Sequence, residues 1–587
     1  MDCKEMILSE ETYDIITDFS ASEFLGDDNN CYERIGEDFL ILYLGNLGIR
    51  NPKIDFFPYH NMPKLYGLMQ LSPSGETPPG AAPFDPASLI ASGITQVQRP
   101  PLSLTGRGVI LCFIDTGIDY RNPVFLDENG NSRILAIWDQ TVQTGAPPDG
   151  LKYGSEYRRE DINLALRSED PYSIVPSRDE DGHGSILAGV AAGSVVRQGN
   201  PYIGAAPGAV IVVVKLKECK QYLRSFYLVP EGVPAYQEND IMLGIRYLAR
   251  IAYRRRKPMV VCIGMGTSLG SHYRGGALGH IAQSYGDLRG FVVVAAGGNE
   301  GNESHHYHQE QLAARGETEV ELRVDPAETD FTTELWCKAP GLCSVALISP
   351  GGEFSGRIYA RVGERQMIRF LLEKTVVYID YLLVSFESGD ECIRLRFFGP
   401  EEGIWRFRVY NETDIPAQFD MWLPIREFIN NGTYFLRPDP NTTLCDPSNN
   451  LQIITVSYYD GANRSVAAQA SRGFNVRGEI APDIAAPGIN IYGPAPEPGN
   501  VAAEPDRPVR YVSRSGSSAA AAVTAGAAIL LVEWGIVKGN DINMDTVGVQ
   551  KYLIRGANRD GRRFPNEEWG YGTLDLYGAF EAIRPKP

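Results

Sequence analysis

The 587-residue sequence lacks a long apolar run, an excess of positive charge and any C-x-x-C pair of cysteines. No stretch approaches the roughly 18 consecutive apolar residues of a membrane helix. The first residues, MDCKEMILSEETYDIITDF, contain neither the cationic nor the apolar part of a secretory signal. We therefore expect no membrane partner, no signal peptide and a cytoplasmic location.

Charge and cysteine content exclude further classes. Lys and Arg number 55 against 73 Asp and Glu, and the resulting net charge of −18 would repel a phosphate backbone, so nucleic acid is not expected as a partner. The nine cysteines are an odd number, which favours buried reduced thiols over a disulfide framework or a zinc site. No D-x-D-x-D loop is present either, and the sequence predicts no metal site and no cofactor.

The length requires more than one folded unit, and composition shifts suggest where they divide. Residues 1–70 contain strand-like runs, including KLYGLMQ, and are followed at 71–87 by a linker rich in proline and glycine. From 88 to 315, and again from 443 to 587, continuously apolar strands alternate with helical patterns, which is typical of a parallel sheet covered on both faces. Between them, residues 316–442 alternate with a period of two, which predicts an inserted all-β sandwich or jelly roll. The predicted fold class is thus α/β with a small N-terminal unit and an all-β insert.

Four residues in the α/β part could carry chemistry, although each has an ordinary alternative role. Asp115 ends an apolar strand in GVILCFIDTGIDY, where an aspartate often caps a turn. His183 opens a helix in DEDGHGS, and Ser518 opens an alanine-rich helix in SGSSAAAAVTAG, where a serine often caps. Asn299 follows a strand in AAGGNEG, which is also a common turn signal.

Taken together, the four residues form a catalytic set. A serine hydroxyl becomes a nucleophile when an imidazole removes its proton and a carboxylate orients the imidazole. An amide donor such as Asn299 stabilises the oxyanion that results from attack on a carbonyl.

The motifs FIDTGID, DGHGS, AAGGNEG, APDIAAPG and SGSSAAAAVTAG, in this order, resemble those of the subtilisin-like serine proteases, the subtilase family. The resemblance implies a serine endopeptidase acting on a protein or peptide substrate, with Asp115 as orienter, His183 as general base, Ser518 as nucleophile and Asn299 as oxyanion donor. It also implies that Gly264, Met265 and Gly266 pair with the substrate backbone. Ser518 is followed by alanines where many subtilases have Met-Ala-x-Pro; because that proline affects helix geometry and not proton transfer, we expect activity to survive.

The all-β insert and the phrase GSHYRGG further resemble the Csp-type subtilases of spore-forming clostridia. This implies a spore-associated location and a role in germination, through processing of a cortex-lytic enzyme precursor. It also implies that residues 1–70 are a prodomain, an intramolecular chaperone and inhibitor that stays bound after self-cleavage. We predict cleavage between Gln70 and Leu71, with Gln96 or Gln98 as the alternative position.

Two other functions remain open at this point. A catalytically impaired subtilase could act as a binding or signalling module, but such a protein has no physical reason to retain all four catalytic residues. A carbohydrate-binding role of the insert has little support, because its aromatic residues are no denser than strands ordinarily carry.

Overall fold

The computed structural model describes residues 2–18, 31–45, 61–70, 75–76, 87–195, 202–359, 365–385, 387–496 and 509–584. The predicted autocleavage residue Leu71 and most of the predicted linker 71–87 lie outside these residues. The described pair Gly75–Glu76 forms a short strand against residues 512–513.

The N-terminal unit is a small α/β structure. Its elements are α1 (Cys3–Leu8), β1 (Tyr13–Asp18), β2 (Cys31–Ile35), β3 (Phe39–Leu44), β4 (Leu65–Leu68) and β5 (Gly75–Glu76). Strands β1, β3 and β2 form an antiparallel sheet in that order. Cys3 and Cys31 form a disulfide, so the expectation that all nine thiols are reduced was wrong; these two residues meet because α1 packs beside β2. The other seven cysteines are buried and outside this disulfide.

The core contains an eight-stranded sheet. Its first part comprises α2 (Ala87–Ala91), α3 (Ile94–Gln98), β6 (Ile110–Asp115), β7 (Ile134–Asp139), β8 (Ser155–Arg158), α4 (Arg159–Leu166), α5 (His183–Ala192), β9 (Ser194–Val195), β10 (Tyr202–Ile203), β11 (Val210–Lys215), α6 (Gln221–Tyr227), β12 (Tyr236–Gln237), α7 (Glu238–Arg255), β13 (Met259–Ile263), β14 (Met265–Gly266), α8 (Gly276–Gly286) and β15 (Phe291–Ala296). Its second part comprises β26 (Ile454–Tyr459), β27 (Ile484–Pro487), β28 (Ile491–Pro494), β29 (Tyr511–Arg514), α9 (Ser517–Val532), α10 (Thr546–Gly556) and α11 (Leu576–Ile583).

The sheet order is β27-β26-β15-β13-β6-β11-β7-β8, and all neighbours are parallel except β7 and β8. Every residue of β6, β13 and β15 is buried, as expected for strands covered by helices on both faces. This confirms the predicted α/β class. Because the strands are parallel, the carboxyl ends of β6, β13 and β15 lie at one edge of the sheet, where active groups of such folds gather.

Helix α9 lies against this sheet. The segment Ser517–Val537 is long and apolar enough to cross a membrane; its 18-residue apolar window has a mean hydropathy of 1.9, but 83% of that window is buried inside the protein. Because the alanines of its first turns have small side chains, α9 packs closely on β13, β15 and β26. The burial is that of a core helix.

The insert consists of two antiparallel sheets packed face to face, which confirms the predicted all-β module. Its strands are β16 (His306–Leu312), β17 (Glu317–Val324), β18 (Asp330–Cys337), β19 (Cys343–Ile348), β20 (Arg365–Arg369), β21 (Val376–Leu382), β22 (Glu391–Phe398), β23 (Gly403–Asn411), β24 (Ala417–Trp422) and β25 (Tyr434–Phe435). One sheet has the order β16-β24-β18-β22-β21-β20 and the other β19-β23-β17-β25.

The structure differs from the expected organisation at the start of the insert. The first strand of the insert, β16, begins at His306, earlier than the predicted boundary at 316. The boundary was placed too late because the polar sequence HYHQEQL does not look like a buried strand. The segment ASLIASGITQVQ forms two short helices, α2 and α3, because Gly93 adopts a left-handed backbone with φ of 66° between them.

The N-terminal unit docks on the core through buried polar contacts. The ammonium of Lys220 lies 2.6 Å from a carboxylate oxygen of Asp14 in β1, and both side chains are at most 3% exposed. Gln237 donates a hydrogen bond of 2.7 Å to the other oxygen of Asp14. At the edge of the interface, Arg246 pairs with Glu33 at 2.7 Å.

Candidate active site

Asp115 and His183 meet at the carboxyl edge of the sheet. Asp115 is the last residue of β6, and His183 is the first residue of α5. Nδ1 of His183 lies 2.7 Å from Oδ1 of Asp115, and the two side chains are almost completely buried. The close approach depends on Gly184, because a Cβ there would lie 2.1 Å from the carbonyl oxygen of Gly117.

Asp179, which the sequence analysis did not single out, holds the loop before His183. Its carboxylate accepts hydrogen bonds from the backbone N–H of Gly182 and Ser185 and from the hydroxyls of Thr116 and Ser185, at 2.7–2.8 Å. These bonds connect the start of α5 to the turn after β6. Asp179 was missed because DEDGHGS has three adjacent acidic residues, and nothing in the pattern distinguishes the buried one.

Ser518 completes the set from the start of α9. Nε2 of His183 lies 3.0 Å from Oγ of Ser518, although the two residues are 335 positions apart in the chain. The imidazole is therefore placed between a carboxylate and a hydroxyl, as a general base requires.

The environment of His183 favours its protonated form. Burial alone would lower the pKa of the imidazole, but the negative charge of Asp115, its hydrogen bond and the further charge of Asp181 outweigh this, and the pKa lies above its ordinary value. An imidazole of raised pKa is a stronger base and a good acceptor for the serine proton.

Asn299 lies beside Ser518 with one donor unused. Its Oδ1 accepts a hydrogen bond of 3.1 Å from the backbone N–H of Ser517, which fixes the orientation of the amide. Its buried Nδ2 has no hydrogen-bond partner among the described residues. The side-chain hydroxyl of Ser517 in turn accepts from the N–H of Gly298 at 3.1 Å. An oriented amide with a free N–H next to a nucleophile is what an oxyanion site needs.

The predicted substrate-binding segment already holds a strand. Strand β4 of the N-terminal unit lies between β14 and β12 in an antiparallel three-stranded sheet. Leu68 pairs with Met265 and Gly67 with Gly266, and the N–H of Met69 donates to the carbonyl of Gly264 at 2.9 Å. All three predicted residues thus contact the backbone of β4 or Met69.

The residue at the nucleophile is Met69, not Gln70. The backbone N–H of Ser518 donates a hydrogen bond of 3.1 Å to the carbonyl oxygen of Met69. The bond that lies at Ser518 in the structure is therefore Met69–Gln70. The sequence analysis predicted Gln70–Leu71, which is one residue further along the chain. Gln70 lies just beyond it, with its Nε2 3.4 Å from Oδ1 of Asp181.

Gly264 makes room for His183 and Asp115. A Cβ at this position would lie 3.0 Å from Cε1 of His183 and 3.1 Å from Oδ2 of Asp115. The backbone just before β14 can approach the imidazole this closely only because residue 264 has no side chain.

Comparisons with known proteins agree with this geometry. Residues 106–320 and 430–572 match the model of the family described as "Subtilase family". The chain belongs to the subtilase family. It is a subtilisin-like serine endopeptidase, as the sequence motifs implied. The predicted resemblance to the Csp-type members is also confirmed, since the subtilase is similar to the solved structure of the Clostridium perfringens CspB protease, with 30% identity, a TM-score of 0.73, and coverage of 85% of this chain and 99% of that chain.

Two other solved structures are more distant. Fervidolysin from Fervidobacterium pennivorans, a keratinolytic enzyme related to subtilisin, shares 13% identity with a TM-score of 0.46, covering 98% of this chain and 61% of that one. The epidermin leader peptide processing serine protease of Staphylococcus aureus shares 12% identity with a TM-score of 0.46, covering 98% and 100%. No curated protein matches the sequence.

Among the residues that the structure describes, two groups of possible metal ligands lie in the insert of this subtilase, away from Asp115, His183 and Ser518. One consists of His306, His308 and Asp420, and both rings lie within 3.0 Å of one oxygen of Asp420. The other consists of Cys337, Cys343 and Glu391. In the first group the imidazole and carboxylate groups bind one another directly, so their geometry is explained by ion pairs.

Proposed function

We propose that this subtilase hydrolyses peptide bonds through an acyl-enzyme on Ser518. His183 takes the proton from the Ser518 hydroxyl as the oxygen attacks the substrate carbonyl carbon. Asp115 keeps Nδ1 of His183 protonated and stabilises the imidazolium. The N–H of Ser518 and Nδ2 of Asn299 bind the oxyanion. His183 then gives its proton to the leaving amine, and water releases the acyl group by the same steps in reverse order.

The observation that carries this proposal is the contact between Met69 and Ser518. A carbonyl oxygen rests 3.1 Å from a backbone N–H of the oxyanion site, on a strand held on both sides by β12 and β14. The strand thus lies as a bound substrate does, with its main chain fixed by sheet hydrogen bonds.

The same contact supports self-processing as the first reaction of the enzyme. We expect the chain to cut its own Met69–Gln70 bond, which leaves Met69 with a new carboxylate in the oxyanion site. Fragment 1–69 should remain bound as an inhibitor, because β4, Asp14 and Glu33 keep their contacts with the core. The role in germination implied by the Csp-type resemblance stays a prediction for the natural substrate.

Intact-mass analysis tests the proposal. The parent chain should give two fragments divided between Met69 and Gln70, and Ser518→Ala should stay uncut. Ser515→Ala is the matched control, because it removes a neighbouring hydroxyl that accepts from the N–H of Asn490 and does not contact His183. A Ser518→Ala chain that is cut at the same bond would overturn the mechanism.

A fluorophosphonate probe separates this proposal from the alternative of a binding or signalling module. The probe should label Ser518 in the parent chain and label nothing in His183→Ala, because the hydroxyl is activated only by the imidazole. Absence of labelling in a folded parent chain whose Met69–Gln70 bond also stays uncut would support the binding module, since a retained fragment 1–69 by itself shields Ser518 from the probe.

A further inference from the structure

The strand bound at the active site carries a lysine whose side chain enters a buried group of carboxylates. Counted back from Met69 as the first residue, Lys64 is the sixth. Its ammonium lies 3.3 Å from Oδ2 of Asp446 and 4.0 Å from Oε1 of Glu387, and its side chain is 15% exposed. Asp446 belongs to the second part of the core, whereas Glu387 belongs to the insert.

Glu238 binds the backbone of the same lysine. Its Oε2 accepts from the N–H of Lys64 at 3.0 Å, and its own N–H donates to the carbonyl of Lys64 at 3.0 Å. Because Glu238 directly follows β12, this exchange extends the pairing of β4 to the lysine and fixes where its side chain leaves the strand.

The site is shaped around the ammonium. A Cβ at Gly270 or at Gly276 would lie 2.5 Å from Nζ of Lys64, and both glycines have a left-handed backbone, with φ of 115° and 65°. A cavity of about 600 Å³ opens beside the lysine, lined among others by Glu238, Gly276 and Glu387, so the larger guanidinium of an arginine also has room.

In the described part of the chain, Lys64 is the cation that forms salt bridges with Glu387 and Asp446. Arg394 is paired with Glu334, the fourth acidic residue near the lysine, and Arg274, which also lines the cavity, lies 5.1 Å from the ring of its neighbour Tyr273. Burial would lower the pKa of Lys64, but Glu387, Asp446 and Glu238 raise it above its ordinary value, so the ammonium stays charged. Without it, the buried carboxylates of Glu238 and Asp446 and the partly exposed carboxylate of Glu387 would lie together uncompensated, which is costly.

We propose that Glu238, Glu387 and Asp446 form a binding site for a lysine or arginine side chain at the sixth position before the cleaved bond of the substrate. This rests on the proposed function, because it assumes that substrates bind as β4 does. It gives the insert a part in substrate selection through Glu387. Protein substrates with a basic residue at this position should therefore be preferred, and peptides too short to reach the site should be cleaved slowly.

Peptide hydrolysis tests the proposal. One fluorogenic peptide has the sequence of residues 62–73, MPKLYGLMQLSP, and its variants replace the lysine with arginine, methionine or glutamate. We expect the arginine peptide to be cleaved like the parent peptide. The methionine peptide should lose about tenfold or more in kcat/KM, mostly through KM, because the lost contact is made equally in the ground and transition states.

Changes on the enzyme side complete the test. Glu387→Lys should prefer the glutamate peptide over the lysine peptide, which a structural role of Glu387 would not produce. Glu317→Lys, which changes an exposed carboxylate in the other sheet of the insert, should keep the parent preference.

The outcomes separate the two proposals. Equal kcat/KM for the lysine and methionine peptides, with Ser518 labelled by the fluorophosphonate probe, would overturn the binding site and leave the proposed function intact. Absence of both labelling and cleavage would overturn the proposed function. If the retained N-terminal segment keeps the peptides out of the site, the self-cleavage rates of full-length Lys64→Met and Lys64→Arg decide, with only the former expected to be slow.

Discussion

Lys220 of the core and Asp14 of the N-terminal unit form an ion pair of 2.6 Å in which both side chains are nearly inaccessible to solvent. Gln237 and Asn239 add hydrogen bonds to the second oxygen of Asp14, at 2.7 and 3.1 Å. Removing one member of a buried pair leaves an uncompensated charge, which typically costs about 3–5 kcal/mol.

The first prediction follows from this pair. Lys220→Met should weaken the retention of fragment 1–69 after self-cleavage, so that the fragment separates from the core on size-exclusion chromatography. The parent and the control Lys551→Met, which alters an exposed lysine on α10, should keep it. Combining Lys220→Met with Asp14→Asn should restore part of the retention. If Lys220→Met keeps the fragment as the parent does, this contact does not anchor the fragment.

The second prediction concerns pH. Because the general base must be neutral, activity should rise with pH through the pKa of His183, which lies above the ordinary value of about 6.5. Asp181 contributes to this raised pKa by its charge, so Asp181→Asn should move the midpoint of the pH–rate profile to lower pH. The midpoint is measured from the pH dependence of the self-cleavage rate. A midpoint that stays unchanged or rises would show that the charge of Asp181 does not act on His183.

The third prediction concerns the oxyanion site. Asn299→Asp keeps an oxygen that can accept from the N–H of Ser517 but removes the Nδ2 donor. We expect kcat to fall about 100- to 1,000-fold with little change in KM, the range known for the loss of one oxyanion donor, subtilisin included. A peptide assay that separates kcat from KM measures this, and a thermal melt close to that of the parent excludes a folding defect. A rise in KM alone would argue against the role of Asn299.

The fourth prediction concerns the stability of the insert. The hydrogen bond that His308 donates to the carboxylate of Asp420 raises the pKa of His308, although burial acts against it. Burial would raise the pKa of Asp420, but the hydrogen bonds and charges of His306 and His308 lower it to about 2. Asp420 contributes stability to the folded insert at pH values above about 3.9, the pKa of an unfolded aspartate, and this stability is lost as the pH falls toward 2. His308 contributes stability in full below about pH 6.5, the pKa of an unfolded histidine, and this stability is lost as the pH rises through the raised pKa of His308.

Asp420→Asn should therefore lower the melting temperature by a few degrees near pH 5 and by less at pH 9. The measurement is a thermal melt of the variant in the Ser518→Ala background, which prevents self-digestion. An equal loss at both pH values would show that Asp420 acts through packing and not through its charge.

The four residues proposed for catalysis could be found in the sequence because each stands in a short motif with little freedom: a strand end for Asp115, a helix start for His183 and for Ser518, and a glycine turn for Asn299. The residue whose carbonyl lies at Ser518, Met69, is one position before the predicted Gln70, since the sequence KLYGLMQ has no feature from which its register could be predicted. The register is set by hydrogen bonds to β14, and a strand that shifts by one residue presents the opposite face of its side chains.

Long-range contacts account for the other differences. The partners of Lys64 come from three separate parts of the chain, at Glu238, Glu387 and Asp446, and no local pattern connects them. The disulfide between Cys3 and Cys31 was missed for a similar reason, since cysteine counting treats all nine residues alike and only the packing of α1 on β2 selects these two.

The interruption of the core by the insert has a consequence for biosynthesis. Strand β15 pairs with β26, and Asn299 meets Ser517, only after the ribosome has made the whole insert between them. Asp115, His183 and the bound N-terminal strand emerge long before Ser518 does. A nascent chain therefore holds no nucleophile during most of its translation, and it cannot cut itself or its neighbours on the polysome before the last part of the core has folded.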